Sequence, residues 1–135
     1  MKKLNVSRFL LASLVVCVAV FVLEGLIHGW LLHDFYRNPL WRPCDTWIFR
    51  QYASLVASAV VFALSFTWIF HFGYEGRKLE GLRYGFYMWL LATVTVTFMW
   101  YAVQPVGWVA VWWIVTGFFK MLILGLLVAA VYKPR

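Results

Sequence analysis

Residues 9–32 read FLLASLVVCVAVFVLEGLIHGWLL, an apolar run broken by one carboxylate and one imidazole. A helix needs about 20 such residues to cross a hydrocarbon core of roughly 30 Å, so this stretch predicts a transmembrane helix. Working outward, residues 48–72, 84–103 and 107–132 repeat the pattern, with polar stretches between them. The expected fold class is all-α: a transmembrane four-helix bundle in a single domain spanning 1–135.

Composition points the same way. The chain is 64% hydrophobic, 21% aromatic and 13% charged, against roughly 25% charged for an average soluble domain. Such a chain cannot cover itself with polar surface, so lipid is the expected solvent. Four spans and their connectors occupy all 135 residues. Lys2, Lys3 and Arg8 ahead of the first run have the look of a signal peptide. Leu14-Val15-Val16-Cys17 also brushes a lipoprotein cleavage box, but Val16 stands where a small residue is required. The run is read as a retained first helix.

Basic residues orient the chain. With the N-terminus inside, Lys2, Lys3, Arg8, Arg77, Lys78, Arg83, Lys133 and Arg135 flank the cytoplasmic ends, and Arg37, Arg42 and Arg50 the outer ones. That asymmetry predicts both termini inside. Because the cations sit at helix ends, the net charge of +7 points to anionic headgroups and away from nucleic acid. Trp30, Trp41, Trp47, Trp100, Trp108, Trp112 and Trp113 gather towards the outer boundary as an interfacial belt.

Between the first two spans, Pro39 and Pro43 disfavour helix, and Leu40-Trp41 between them predict a loop folded back on the membrane surface. Cys44 lies in this loop and Cys17 inside the first span, so the two cannot pair. Ala53, Ser54, Ala57 and Ser58 give the second helix a close-packing face. Gln104-Pro105-Val106-Gly107 is a tight turn that makes helices three and four an antiparallel hairpin. Leu23-Glu24-Gly25-Leu26 recurs as Leu79-Glu80-Gly81-Leu82, each followed by a further glycine, Gly29 or Gly85. Each copy is expected to offer a Gly-x-x-x-Gly face for close helix contact.

Three residues form the candidate polar cluster. Glu24 lies roughly 22 Å along its helix from Phe9, and Lys120 roughly 21 Å from the outer end of its own, at 1.5 Å per residue. Both fall within hydrocarbon, where an unpaired charge is costly. Their depths differ by about 7 Å, within reach of a lysine stem, so an intramembrane Glu24–Lys120 pair is expected. His28 shares a face with Glu24 at i, i+4 spacing. The cluster has two readings, a structural seam or a proton-handling site. His71 falls near the opposite boundary from His28 and His33, so no metal or haem site is expected, and no cofactor. No hydrolase, zincin or phosphate-loop motif is present, so no catalytic residue is assigned and an enzyme is not the favoured reading.

Glu24-Gly25-Leu26-Ile27-His28-Gly29, Leu40-Trp41-Arg42-Pro43, Gly73-Tyr74-Glu75-Gly76, Leu79-Glu80-Gly81-Leu82-Arg83-Tyr84-Gly85 and Tyr101-Ala102-Val103-Gln104-Pro105 resemble a group of small bacterial four-helix integral membrane proteins to which no activity is attached. The resemblance covers most of the chain and implies a bacterial origin and a four-helix fold; the expected location is the inner membrane. A single acidic residue in helix one is also an analogy to small multidrug transporters, from which the long first loop and Lys120 depart.

Three functions follow as expectations. The first is an accessory or structural subunit of a larger membrane assembly, its partners being the bilayer and other membrane proteins or a second copy. The alternatives are a small proton-coupled transporter using Glu24 and His28, and a lipid-, quinone- or pigment-binding protein.

Overall fold

The computed structural model describes residues 3–37, 48–76, 79–103 and 106–133. Pro39, Leu40, Trp41, Pro43, Cys44, Trp47, Arg77, Lys78 and Gln104-Pro105, which carry several expectations above, lie outside the described residues. Four helices make up the fold: α1 (Val6–Leu31), α2 (Ile48–Gly73), α3 (Glu80–Val103) and α4 (Val109–Val131). Each contains a stretch long and apolar enough to cross a membrane. The chain is an all-α four-helix bundle and a small multi-pass integral membrane protein.

Local chemistry sets the helix ends. Asn5 begins α1 by accepting the Arg8 N–H at 3.3 Å, which satisfies one of the donors left over at a helix start. At the other loop, Glu80 starts α3 ahead of the Tyr84 read from sequence. Its carboxylate turns back to accept the backbone N–H of Gly76 at 2.9 Å and that of Glu75. Gly76 has φ +79°, a left-handed conformation that glycine adopts without a steric penalty.

The core fills the half of the bundle that holds the termini. Ala12, Val16 and Val20 of α1 meet Ala59, Ala63, Phe66 and Phe70 of α2, and Met121, Leu124 and Val128 of α4. The three-to-four-residue spacing puts each set on one helix face. The remaining faces are equally apolar, and Leu10, Leu14 and Val18 are exposed. In a bilayer such residues meet acyl chains rather than water. At the edge of this core the Tyr132 hydroxyl and His71 Nδ1 are 2.6 Å apart, joining the ends of α2 and α4.

The closest helix contact is between α3 and α4. A Cβ on Gly81 would lie 2.5 Å from the Gly125 carbonyl oxygen, and one on Gly85 or Gly125 would likewise run into the opposing backbone. Small residues let transmembrane backbones approach this closely, so that dispersion can act where no hydrophobic force separates helix from lipid. The second Gly-x-x-x-Gly copy, Gly81 and Gly85, is therefore buried in the tight hairpin. The first copy is not. Among the described residues nothing lies within 4 Å of a Cβ on Gly25 or Gly29, so the expected close contact is not made there within the described chain.

A further correction concerns α2. Ala53, Ser54, Ala57 and Ser58 are exposed, and the packed face is Ala59, Ala63 and Phe66. This end of α2 borders a cleft instead, lined by Tyr52, Leu55, Val56 and Ser58. α1 packs against both α2 and α4, but α2 and α3 make no comparable approach among the described residues. They are joined at the termini end, where the Tyr84 hydroxyl donates to the Phe66 carbonyl at 2.5 Å and its ring packs edge-on against Phe66 and Phe70.

Two spans depart from uniform α-helix. α1 is α-helical through Glu24 and then opens into a π-helical segment, Gly25–Leu31. α3 contains another, Trp89–Val94, between two α-helical stretches. Such i→i+5 turns concentrate at functional sites; the first is near the end of α1, and the second is at the middle of α3, where Trp89 and Ala92 pack against the core.

Candidate functional site

Glu24 is the last α-helical residue before the π segment of α1, and His28 lies within that segment. Glu24 Oε2 and His28 Nε2 are 2.9 Å apart. From α4, Lys120 Nζ donates to Glu24 Oε1. The structure thus brings Glu24, His28 and Lys120 into one cluster, with the lysine stem crossing the offset in depth between α1 and α4.

Two residues that sequence reasoning missed extend it. A short 3₁₀ turn, His33–Arg37, folds back and sets the Tyr36 hydroxyl 2.7 Å from His28 Nδ1. The Trp113 indole N–H donates to the same hydroxyl at 2.6 Å. Composition alone groups Trp113 with the interfacial belt, yet it precedes Lys120 by two helical turns and shares its face. That spacing was the available signal. Tyr36 offered none, because its position depends on the turn. Trp30 and Trp108 do fit a belt, being 78% and 80% exposed.

The five residues form one hydrogen-bonded network. An indole N–H can only donate, so Tyr36 accepts from Trp113, and its hydroxyl also meets His28 Nδ1. His28 Nε2 meets one oxygen of Glu24, and Lys120 takes the other.

No family model, curated protein or solved structure matches the chain.

The cluster is unevenly covered. The Lys120 side chain is 15% exposed, Glu24 36% and His28 41%. The open side faces a cleft of about 1100 Å³ with Tyr52, Leu55, Val56 and Phe62 of α2 on one wall and Ala92, Val96 and Trp100 of α3 on the other. The other histidines are placed apart: His33 is 3.6 Å from Asp34, and His71 bonds Tyr132 at the far end of α2.

Burial pushes the Tyr36 phenol above its ordinary value; the Trp113 hydrogen bond opposes this and the Glu24 charge adds to it. A raised phenol means that the folded state holds its proton more tightly. Its contribution to stability is therefore complete below the unfolded value of about 10 and is lost as pH rises towards the folded one. Tyr36→Phe should lower stability at neutral pH by about 1–2 kcal/mol, from two lost hydrogen bonds. It should also flatten the alkaline fall in thermal midpoint; an identical fall in both proteins would dissociate Tyr36 from the network.

Proposed function

We propose that the protein is an accessory, structural subunit of a larger assembly in a bacterial inner membrane, with both termini cytoplasmic. The observation that carries this reading is the exposed small-residue flank of α2. Ala53, Ser54 and Ala57 are open and lie off the cleft wall formed by Tyr52, Leu55, Val56 and Ala59. A flank of this kind permits close approach by another transmembrane helix, and the Ala53 and Ala57 side chains are exposed among the described residues. The distribution of Lys and Arg supports the orientation. The Glu24–Lys120 contact, which ties α1 to α4, supports reading the polar cluster as a structural seam.

Purification in a gentle detergent tests the assembly. The protein should co-migrate with larger membrane proteins, and Ala57→Leu should release it without moving its own thermal midpoint. Migration of both proteins at the mass of a single chain would refute the reading. For orientation, an impermeant maleimide applied to the periplasmic face should label Cys44 and leave a cysteine appended after Arg135 untouched.

A further inference from the structure

The cleft between α2 and α3 sets an electrostatic condition on whatever fills it. Glu24 lies seven residues before Leu31, the end of its span, hence roughly 10 Å inside that end at 1.5 Å per residue. At this depth about a third of its side chain is exposed beside the cleft, whose walls are otherwise mainly apolar, with the hydroxyls of Ser58, Thr93, Thr97 and Thr116 among them. A carboxylate in hydrocarbon needs polar company, so the occupant must present a polar group beside Glu24 and an apolar body elsewhere.

Charge then narrows the choice. Glu24 and Lys120 form an ion pair and cancel. A charged head would leave a net charge buried in lipid, whereas an uncharged head would not. The volume of about 1100 Å³ is slightly above the roughly 300–1,000 Å³ of ordinary ligand pockets. Both π-helical segments also border the cleft: Gly25 and His28 from one, Ala92 from the other. Gly25 leaves space beside Glu24 that a side chain would fill.

We propose that this cleft binds an amphiphile with a small, uncharged, hydroxyl-bearing head and a long apolar chain. The head hydroxyl donates to Glu24 and accepts from a remaining Lys120 N–H, while the chain lies between α2 and α3 and leaves sideways into the bilayer. The proposal does not depend on the chain having a protein partner.

The test uses the full chain in vesicles of zwitterionic lipid and a long-chain primary alcohol carrying a diazirine in its tail. Labelling should fall on cleft residues such as Leu55 and Val96. Unlabelled alcohol should compete, and the carboxylate and trimethylammonium chains of equal length should compete about tenfold less well or worse, because their heads bring charge into hydrocarbon. Gly25→Leu and Val96→Phe fill the cleft from opposite walls, and each should reduce labelling about tenfold, given that only one needs to block the site. Thermal midpoints identify a variant that has simply unfolded, and the competition series on the unaltered protein stands without either variant. Equal competition by all three chains, labelling spread over outward-facing residues, unchanged labelling in both folded variants, or cross-linking of photoleucine at Leu55 to another polypeptide would each overturn the proposal.

Discussion

Gly125→Leu should dismantle the α3–α4 hairpin, lowering stability by about 3 kcal/mol, the upper part of the range for overpacking. The site has no room to adjust. A Cβ there would meet the Gly81 carbonyl oxygen and lie 2.9 Å from the Gly85 nitrogen, so the obstacle is backbone rather than a side chain that can rotate away. Moving the helices apart would also loosen Met121, one turn before Gly125 on the same face of α4 and buried in the core. The control is another glycine of the same protein. Gly25→Leu enters open space at a backbone φ of −60°, and should change stability by only about 0.5 kcal/mol, as surface substitutions do. Thermal unfolding of both variants in the same detergent checks the contrast; similar losses would show that the close α3–α4 contact carries no special weight.

Lys120→Met should be the next most damaging change, at roughly 3 kcal/mol. That is the low end for breaking a buried ion pair, chosen because Glu24 is 36% open to the cleft. Most of this cost comes from the carboxylate left behind rather than from the lost attraction. Glu24→Gln should cost less, since the amide keeps a hydrogen-bonding group beside His28 and its oxygen can still accept from Lys120. The measurement is the denaturation midpoint of each variant in micelles. A Lys120→Met protein as stable as the parent would mean that Glu24 finds adequate company in the cleft without it.

Hydrophobic length made the four spans legible, because the bilayer imposes a minimum run that each of them meets. Depth arithmetic and i, i+4 spacing picked out Glu24, Lys120 and His28, the three residues the structure brings together. Tyr36 and Trp113 escaped for different reasons. The first depends on a 3₁₀ turn that composition does not encode, and the second on which face of an all-round apolar helix points inward. The π-helical segments were illegible because one extra residue per turn leaves a uniformly apolar pattern unchanged. The small residues misled most. Gly81 and Ala53 belong to motifs of the same kind, yet one is buried against Gly125 and the other exposed. The motif states that close packing is possible and not where a partner stands.

The role of the polar network as the tie between α1 and α4 is tested most directly by a double-variant cycle on Glu24→Gln and Lys120→Met, read from unfolding free energies in one detergent. Removing both charges leaves neither stranded, so the double variant should be more stable than Lys120→Met alone, with a coupling of at least about 1 kcal/mol. Losses that add without coupling would contradict the account, because each residue would then act without the other.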